Sequence, residues 1–332
     1  MSAQRAFAPG RVNLIGDHTD YAHGRALPMA IELGTTVSYT PHGGRSLTAS
    51  SSTTGELLTL AQGSVHAPGS FGALITALAE ELNVSTGLVE VDSDLPLGSG
   101  LSSSASLLVA AALAMGCDDE VLALAERCQR AEARAGQDVG LLDQLAIAGG
   151  QAEAALKIDF VGPTWQCIPI DEAAGFFIVH SGEHRSLAAG AYAERRASCE
   201  AAEAIIGPLG RATVEDLARL EDPTLRRRAG HVIEESQRVD AFASAIQQGA
   251  LIEAGQLMIE SHRSLANEFE VSTDSLDALV GQLIEIPGVH GARMTGGGFG
   301  GCVIALADRG VSPPSGSLST WVVTPSEGAR LL

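Results

Sequence analysis

The 332-residue chain is 45% hydrophobic, too apolar for a disordered protein and rich enough to bury more than one core, and its length points to two domains sharing an interface. Its formal net charge of −19 repels nucleic acid and anionic membrane, so any anionic ligand must be held by local positive potential together with a divalent cation. Five cysteines without paired metal spacing (Cys117, Cys128, Cys167, Cys199, Cys302), no signal pattern and no apolar run long enough for a bilayer predict reduced thiols in a cytoplasmic protein.

Along the chain, residues 11–15 read as a strand that Gly16 breaks, followed by the polar turn Asp17, His18, Thr19, Asp20, Tyr21 and a second strand-like run over 26–37. So many polar side chains on one turn suit a polyol, whose hydroxyls both donate and accept; a solvated turn or an Asx cap is the plain alternative. Residues 42–69, rich in Ser, Thr and Gly, read as exposed hairpins, and 71–82 as a helix. The stretch 95–116, L-P-L-G-S-G-L-S-S-S-A-S-L-L-V-A-A-A-L-A-M-G, is a small-residue loop feeding a buried helix. Unpaired N–H groups and the positive end of the helix dipole make such a loop an anion cradle, and phosphate fits best. A Walker loop is excluded, because it needs a lysine and the only one in the chain is Lys157.

Residues 121–134 read as a helix carrying Glu132 near its end, and 136–144, G-Q-D-V-G-L-L-D-Q, places Asp143 among Leu141, Leu142 and Leu145. A carboxylate there either faces a polar cleft, pairs with a cation such as Arg11, or lies exposed at a helix start. Strand-like 154–158 and the segment 163–169 precede an acidic break at Asp171 and Glu172, which marks the expected domain boundary. Residues 176–180 predict a buried strand, Arg195 and Arg196 surface charges, and 197–286 mainly helix broken at Gly249 and Gly255, with His262 structural. Five glycines around Thr295 and Phe299 let the backbone at 294–303 pass very close to a ligand or another segment. A Pro/Gly/Ser-rich link then leads to a strand at 320–324.

Three stretches, in order, carry a resemblance. Residues 8–21, A-P-G-R-V-N-L-I-G-D-H-T-D-Y, are similar to the galactokinase signature; the loop P-L-G-S-G-L-S-S-S-A resembles the second motif of the GHMP small-molecule kinases; and 292–302, A-R-M-T-G-G-G-F-G-G-C, resembles their third. The resemblance covers nearly the whole chain. It implies an α+β, two-domain GHMP kinase fold with the active site in the interdomain cleft, divided as 1–172 and 173–332. It implies ATP-dependent phosphorylation of the anomeric hydroxyl of galactose, with Asp143 and Arg11 catalytic. Asp17, His18, Asp20, Gly140, Asp143 and Tyr192 would bind the sugar. Gly98, Ser99, Gly100, Leu101, Ser102, Ser103 and Ser104 would hold the ATP phosphates, and Ser104 with Glu132 would bind Mg2+. The protein would be a monomer or weak homodimer.

Four departures stand out. Asp17 replaces the usual glutamate of the family motif, the loop between Glu132 and Asp143 is one residue short, Phe71 is the only aromatic available near the adenine, and a helix is missing after residue 306. The last of these implies a second sheet with one face bare or covered by a partner subunit. A 1-kinase for a related sugar, altered at C6 or C2 or a pentose, and a non-catalytic sugar sensor are the alternative readings.

Overall fold

The polar turn and the small-residue loop are both held by one long strand pair. A computed structural model describes residues 3–60, 64–96, 98–137, 139–183 and 188–332. Within it, β1 (Gln4–Ile15) and β2 (Arg25–Thr40) pair antiparallel on either side of the turn. Their register slips between Pro9 and Gly10, leaving Glu32 and Leu33 outside the pairing. The slip lets one strand pair serve two cores. Ala6, Ala8 and Val37 join one cluster, while Val12, Leu14, Leu27 and Met29 join another.

The expected hairpin region forms β3 (Leu47–Ser51) and β4 (Leu57–Leu60). Helix α1 (Phe71–Glu81) starts at Ser70, whose hydroxyl accepts the Ala73 N–H at 3.3 Å. After β5 (Gly87–Ser93) comes α2 (Ser103–Ala114), and then α3 (Val121–Arg134) and α4 (Leu142–Gly149). An Ala/Leu/Val helix that is apolar all round must be buried on every side, and α2 lies between β1 and β2 on one side and the other three helices on the other. Strands β6 (Ala154–Asp159) and β7 (Thr164–Pro169) extend from the start of β2.

From β8 (Ala174–His180) the chain builds a second sheet, through α5 (Ala188–Ile206), α6 (Pro223–Gln247), α7 (Leu251–Asn267) and α8 (Asp274–Ile284). It closes with β9 (Val289–Thr295), β10 (Cys302–Asp308), β11 (Thr320–Val323) and β12 (Arg330–Leu331). Among the described residues the first sheet runs β12-β1-β2-β5-β3-β4, with β6 and β7 added beside β2, and the second runs β11-β8-β10-β9. The last strand therefore returns to the first sheet, although its position in the chain assigned it to the second half. Pro325 bridges to Ile31, and the Ala329 N–H donates to Ile147 O at 2.9 Å.

Alternation along β8 and β10 buries both faces of the second sheet. Phe176, Ile178, Ile304 and Leu306 meet β1, α6 and α7, whereas Phe177, Val179, Val303 and Ala305 meet the core of α5 and α8. Among the described residues the preceding helices cover both faces of the sheet, in place of the bare face expected after residue 306, and Val322 on the edge strand is exposed. A single apolar cluster joins the two sheets, which makes the junction between them a shared core and fixes the walls of the cleft above it.

Gly255, expected to break a helix, lies inside α7. Its role is close approach: a Cβ there would sit 2.1 Å from His290 O, and one on Gly291 would sit 2.1 Å from Gly255 O. Gly255→Ala is accordingly expected to destabilise the fold by about 2 kcal/mol, as overpacking does, seen as a lower urea midpoint with unchanged slope. A wild-type midpoint would contradict the backbone contact.

Candidate active site

Arg11 projects from β1 toward the first turn of α4, where Asp143 waits. The guanidinium Nε and NH2 both reach Asp143 Oδ1, at 2.7 and 2.6 Å, and NH1 donates to Gly100 O at 2.7 Å. The Arg11 backbone N–H donates to Leu101 O at 3.2 Å. One residue thereby ties the strand, the small-residue loop and α4 together. Ser102 completes the carboxylate by donating its hydroxyl to Asp143 Oδ2 at 2.5 Å. Of the alternatives open for Asp143, the cation partner and the polar cleft both hold: its side chain is 27% exposed and lines the cavity.

Gly98, Gly100 and Ser102 all take positive φ, so the loop curls tightly before α2 begins at Ser103. The first N–H groups of a helix have no intrahelical acceptor, and Ser104, in the first turn of α2, lines the cavity. The Ser104 hydroxyl donates to Glu132 Oε1 at 2.6 Å, and Gln144 Nε2 donates to Glu132 Oε2 at 2.6 Å. Burial pushes the Glu132 carboxyl up to about 7. The short loop before Asp143 has therefore not rotated Glu132 away from Ser104.

On the opposite wall, His18 adopts a left-handed backbone (φ 63°) and shares a 2.8 Å hydrogen bond between its Nδ1 and the Tyr21 hydroxyl. Its ring packs against Tyr192 and Phe269 at centroid distances of 5.5 and 4.9 Å. Asp20 lies so close to Gly140 that a Cβ on that glycine would come within 1.5 Å of the carboxylate. Only glycine fits there. Burial, followed by the nearby charge of Asp143, pushes the Asp20 carboxyl up to about 6. Residues 184–187 of the segment leading to Tyr192 lie outside the described residues.

Asp17 is committed inward. Its Oδ1 accepts the Gly296 N–H at 3.0 Å and its Oδ2 lies 2.7 Å from Arg293 NH2. Burial raises the Asp17 carboxyl even so, against the lowering by the Arg293 charge. Arg293 is fully buried; its NH1 donates to the carbonyls of Asn13 and Leu14, at 3.4 and 3.2 Å. Behind it, Glu235 accepts from Gly16 N–H, from the Ser261 hydroxyl and from Arg238. Burial acts to raise Glu235, yet Arg238, His231, Arg293 and the Ser261 hydroxyl together hold it down at about 2. Burial holds His231 at about 4.

Arg11, Asp17, His18, Asp20, Ser104, Glu132, Gly140, Asp143 and Tyr192 line a cavity of about 750 Å³ between the two halves, and Arg293, Glu235 and His231 lie behind its wall. A wider groove of about 900 Å³ near Ile252 and His290 contains none of them. The sequence reading missed Arg293, Glu235 and Ser261, and the one available signal was an arginine inside the apolar strand pattern A-R-M-T. Arg195, expected at the surface, is buried and donates to the carbonyls of Phe269 and Glu270 at 2.6 and 2.9 Å. Phe71 packs on the α1/α2 core and is not among the cavity residues. His262 sits away from the cavity against Asp277 and the Met294 N–H, as a structural residue.

Residues 2–41 match the galactokinase galactose-binding signature, 70–151 the GHMP kinases N terminal domain and 242–313 the GHMP kinases C terminal domain. The chain is 37% identical to a galactokinase of Thermococcus kodakarensis over 99% of this chain and all of that one. It is 40% identical to a galactokinase of Mycobacterium tuberculosis over 91% of this chain and 89% of that one. Its structure is similar to that of Lactococcus lactis galactokinase complexed with galactose, at TM-score 0.90 and 27% identity, covering 100% of this chain and 95% of the other. No helix among the described residues is long and apolar enough to cross a membrane.

The Asp20 shift has a testable sign. Its folded-state value of about 6 lies above the ordinary 3.8, so the stability linked to this group is complete below about pH 4 and is lost as pH rises through about 6. Asp20→Asn is expected to melt higher than wild type near pH 7.5 relative to its standing near pH 4, a difference of up to about 3 kcal/mol. A Tm difference that is the same at both pH values would contradict it.

Proposed function

The chain belongs to the galactokinase family of the GHMP kinases, and from that premise we propose that its cleft transfers the γ-phosphoryl group of ATP to the anomeric hydroxyl of galactose. The observation that carries this reading is the Arg11–Asp143 pair at 2.6 Å, opening onto the cavity beside the start of α2. In this reading residues 1–172 supply the sugar turn and phosphate loop, and 173–332 supply the glycine-rich segment.

Phosphoryl transfer asks a protein chiefly for positioning and charge stabilisation. Asp143 accepts a hydrogen bond from the C1 hydroxyl, orients its lone pair toward phosphorus and takes its proton as the bond to phosphorus forms. Arg11 pairs with that carboxylate and faces the transferring group with positive charge. The loop Gly98 to Ser104 receives the phosphates on its N–H groups and on the helix dipole. On the sugar side stand His18, Asp20, Gly140 and Tyr192.

A divalent cation fits at Ser104 and Glu132. Their side-chain oxygens are hard donors already brought to 2.6 Å of each other, and Mg2+ characteristically takes one or two protein ligands and completes its shell with water and phosphate. Among the described residues no group of three or more His, Cys, Asp and Glu could cage a metal by itself, which accords with an ion delivered on the nucleotide. Bound there, the ion would neutralise charge on the phosphates.

Asp17 favours a second reading of the substrate. With Oδ1 on the Gly296 N–H and Oδ2 2.7 Å from Arg293 NH2, the shortened carboxylate would have to share its oxygens with these groups to take a sugar hydroxyl. The resemblance implies that the usual glutamate accepts a hydrogen bond from the sugar's 6-hydroxyl, so a galactose-like sugar lacking or altered at C6 would lose less here than in a site with a free glutamate. A sugar sensor without catalysis finds no support, since Arg11, Asp143 and Ser104 all stand in place.

Asp143→Asn is expected to lower galactose turnover at least 100-fold, the scale of general-base assistance, while the galactose Kd from calorimetry moves less than about tenfold. Turnover within about tenfold of wild type would remove Asp143 from the reaction. Comparing kcat/KM for galactose, 6-deoxygalactose and arabinose decides between the substrate readings: a tenfold or greater preference for a sugar without the hydroxyl would displace galactose. Ser104→Ala is expected to move the Mg2+ concentration for half-maximal activity upward by at least about fivefold, a loss on the scale of one hydrogen bond or ligand. An unchanged Mg2+ titration would remove Ser104 as a ligand.

A further inference from the structure

The backbone of Ser102 poses a chemical question. The residue stands at the N-cap of α2, where a serine ordinarily turns its hydroxyl onto the N–H groups of the first turn; here it makes no such bond. It also holds a left-handed conformation, φ 64° and ψ 46°, which disfavours any residue with a β-carbon and which glycine adopts freely. A glycine would relieve the backbone and forgo nothing as a cap. What glycine cannot supply is the hydroxyl that reaches Asp143 Oδ2 at 2.5 Å.

We propose that Ser102 is a positioning residue for the reactive carboxylate, coupling the phosphate loop to Asp143 through its hydroxyl. Arg11 grips only Oδ1, and a carboxylate held at one oxygen can still rotate about its Cβ–Cγ bond. Ser102 fixes the second oxygen and therefore the plane of the group. That plane decides which lone pairs face the sugar hydroxyl, and reaction rates fall steeply with small misplacements of the reacting atoms. The coupling also has a direction through the chain. Ser102 lies between Gly100 and Leu101, whose carbonyls Arg11 holds, and Ser104, which contacts Glu132. When phosphates settle on the loop, the same backbone that receives them sets the orientation of Asp143. The loop thus aligns the acceptor's partner as well as the donor. The phosphates then rest on the N–H groups of this segment, and the Ser102 hydroxyl serves the carboxylate.

This inference rests on the functional reading above. It is tested on whichever sugar the wild type phosphorylates best, so that a wrong sugar defeats that reading and leaves this one intact. Three variants separate positioning from structure: Ser102→Gly removes the hydroxyl and the backbone strain, Ser102→Ala removes the hydroxyl alone, and Ser102→Thr keeps the hydroxyl and adds strain. Single-turnover rates at saturating sugar and ATP, the Kd of each substrate and Tm are measured for all three. The expected result is that turnover and stability run in opposite orders. Ser102→Gly melts at or above wild type yet reacts about 10- to 50-fold more slowly, with both Kd values within about threefold; this is the loss expected for a charge-assisted hydrogen bond. Ser102→Ala is equally slow, and Ser102→Thr melts lower but recovers to within about fivefold of the wild-type rate, because the hydroxyl is retained. Two results would overturn the proposal: a wild-type rate in Ser102→Gly, or a loss confined to the ATP Kd, which would give the hydroxyl to the phosphates instead.

Discussion

Everything in the cleft depends on where one guanidinium stands. Arg11 is 7% exposed, and its nitrogens are divided among the Asp143 carboxylate, the Gly100 carbonyl and the Leu101 carbonyl. Burying one member of an ion pair alone costs several kcal/mol, whereas the pair with satisfied hydrogen bonds is tolerated. The strand, the loop and the fourth helix are consequently tied by a contact that none of them can leave cheaply. A surface arginine could not do this, because solvent screening would reduce the pair to a fraction of a kcal/mol.

A second buried arginine repeats the arrangement from the other half of the chain. Arg293 leaves β9 to reach the carbonyls of Asn13 and Leu14 on β1 and the Asp17 carboxylate in the turn that follows. Glu235 of α6 stands 3.8 Å from the same guanidinium and also takes the Gly16 N–H. The turn that carries His18 and Asp20 is therefore fixed from behind by charge and from the side by aromatic packing, and its left-handed histidine is held in place by that surround. The two arginines divide the labour: one orders the Asp143 carboxylate, the other the turn that carries His18 and Asp20. The shared apolar core beneath both keeps the two halves in register.

The sequence made some of this legible and concealed the rest for physical reasons. The loop before α2 and the Arg11–Asp143 pairing were readable because each rests on local chemistry: small residues before an apolar helix, and a carboxylate among leucines. Gly255 was misread as a helix break because glycine permits both a bend and a close approach, and only the strand packed against α7 decides between them. Arg195 was misread as a surface charge for a related reason; its partners, the carbonyls of Phe269 and Glu270, lie more than seventy residues away in sequence. The covering of the second sheet was misjudged by counting a missing helix without seeing that α5 to α8 already occupy both faces. The resemblance placed Ser102 among the residues that hold the ATP phosphates, and the hydrogen bond from its hydroxyl to Asp143 Oδ2 had no signal in the sequence because the two lie 41 residues apart.

On the proposed reading, Arg11 and Asp143 act as one unit in the transfer of phosphate to the anomeric hydroxyl. A double-mutant cycle reads this directly, with Arg11→Met, Asp143→Asn and the pair compared by single-turnover formation of sugar 1-phosphate. Groups that act as a unit are strongly non-additive, so the double variant should be no slower than the worse single variant, within about threefold. Losses that multiply across the two substitutions would mean that the residues act independently, and would contradict the claim.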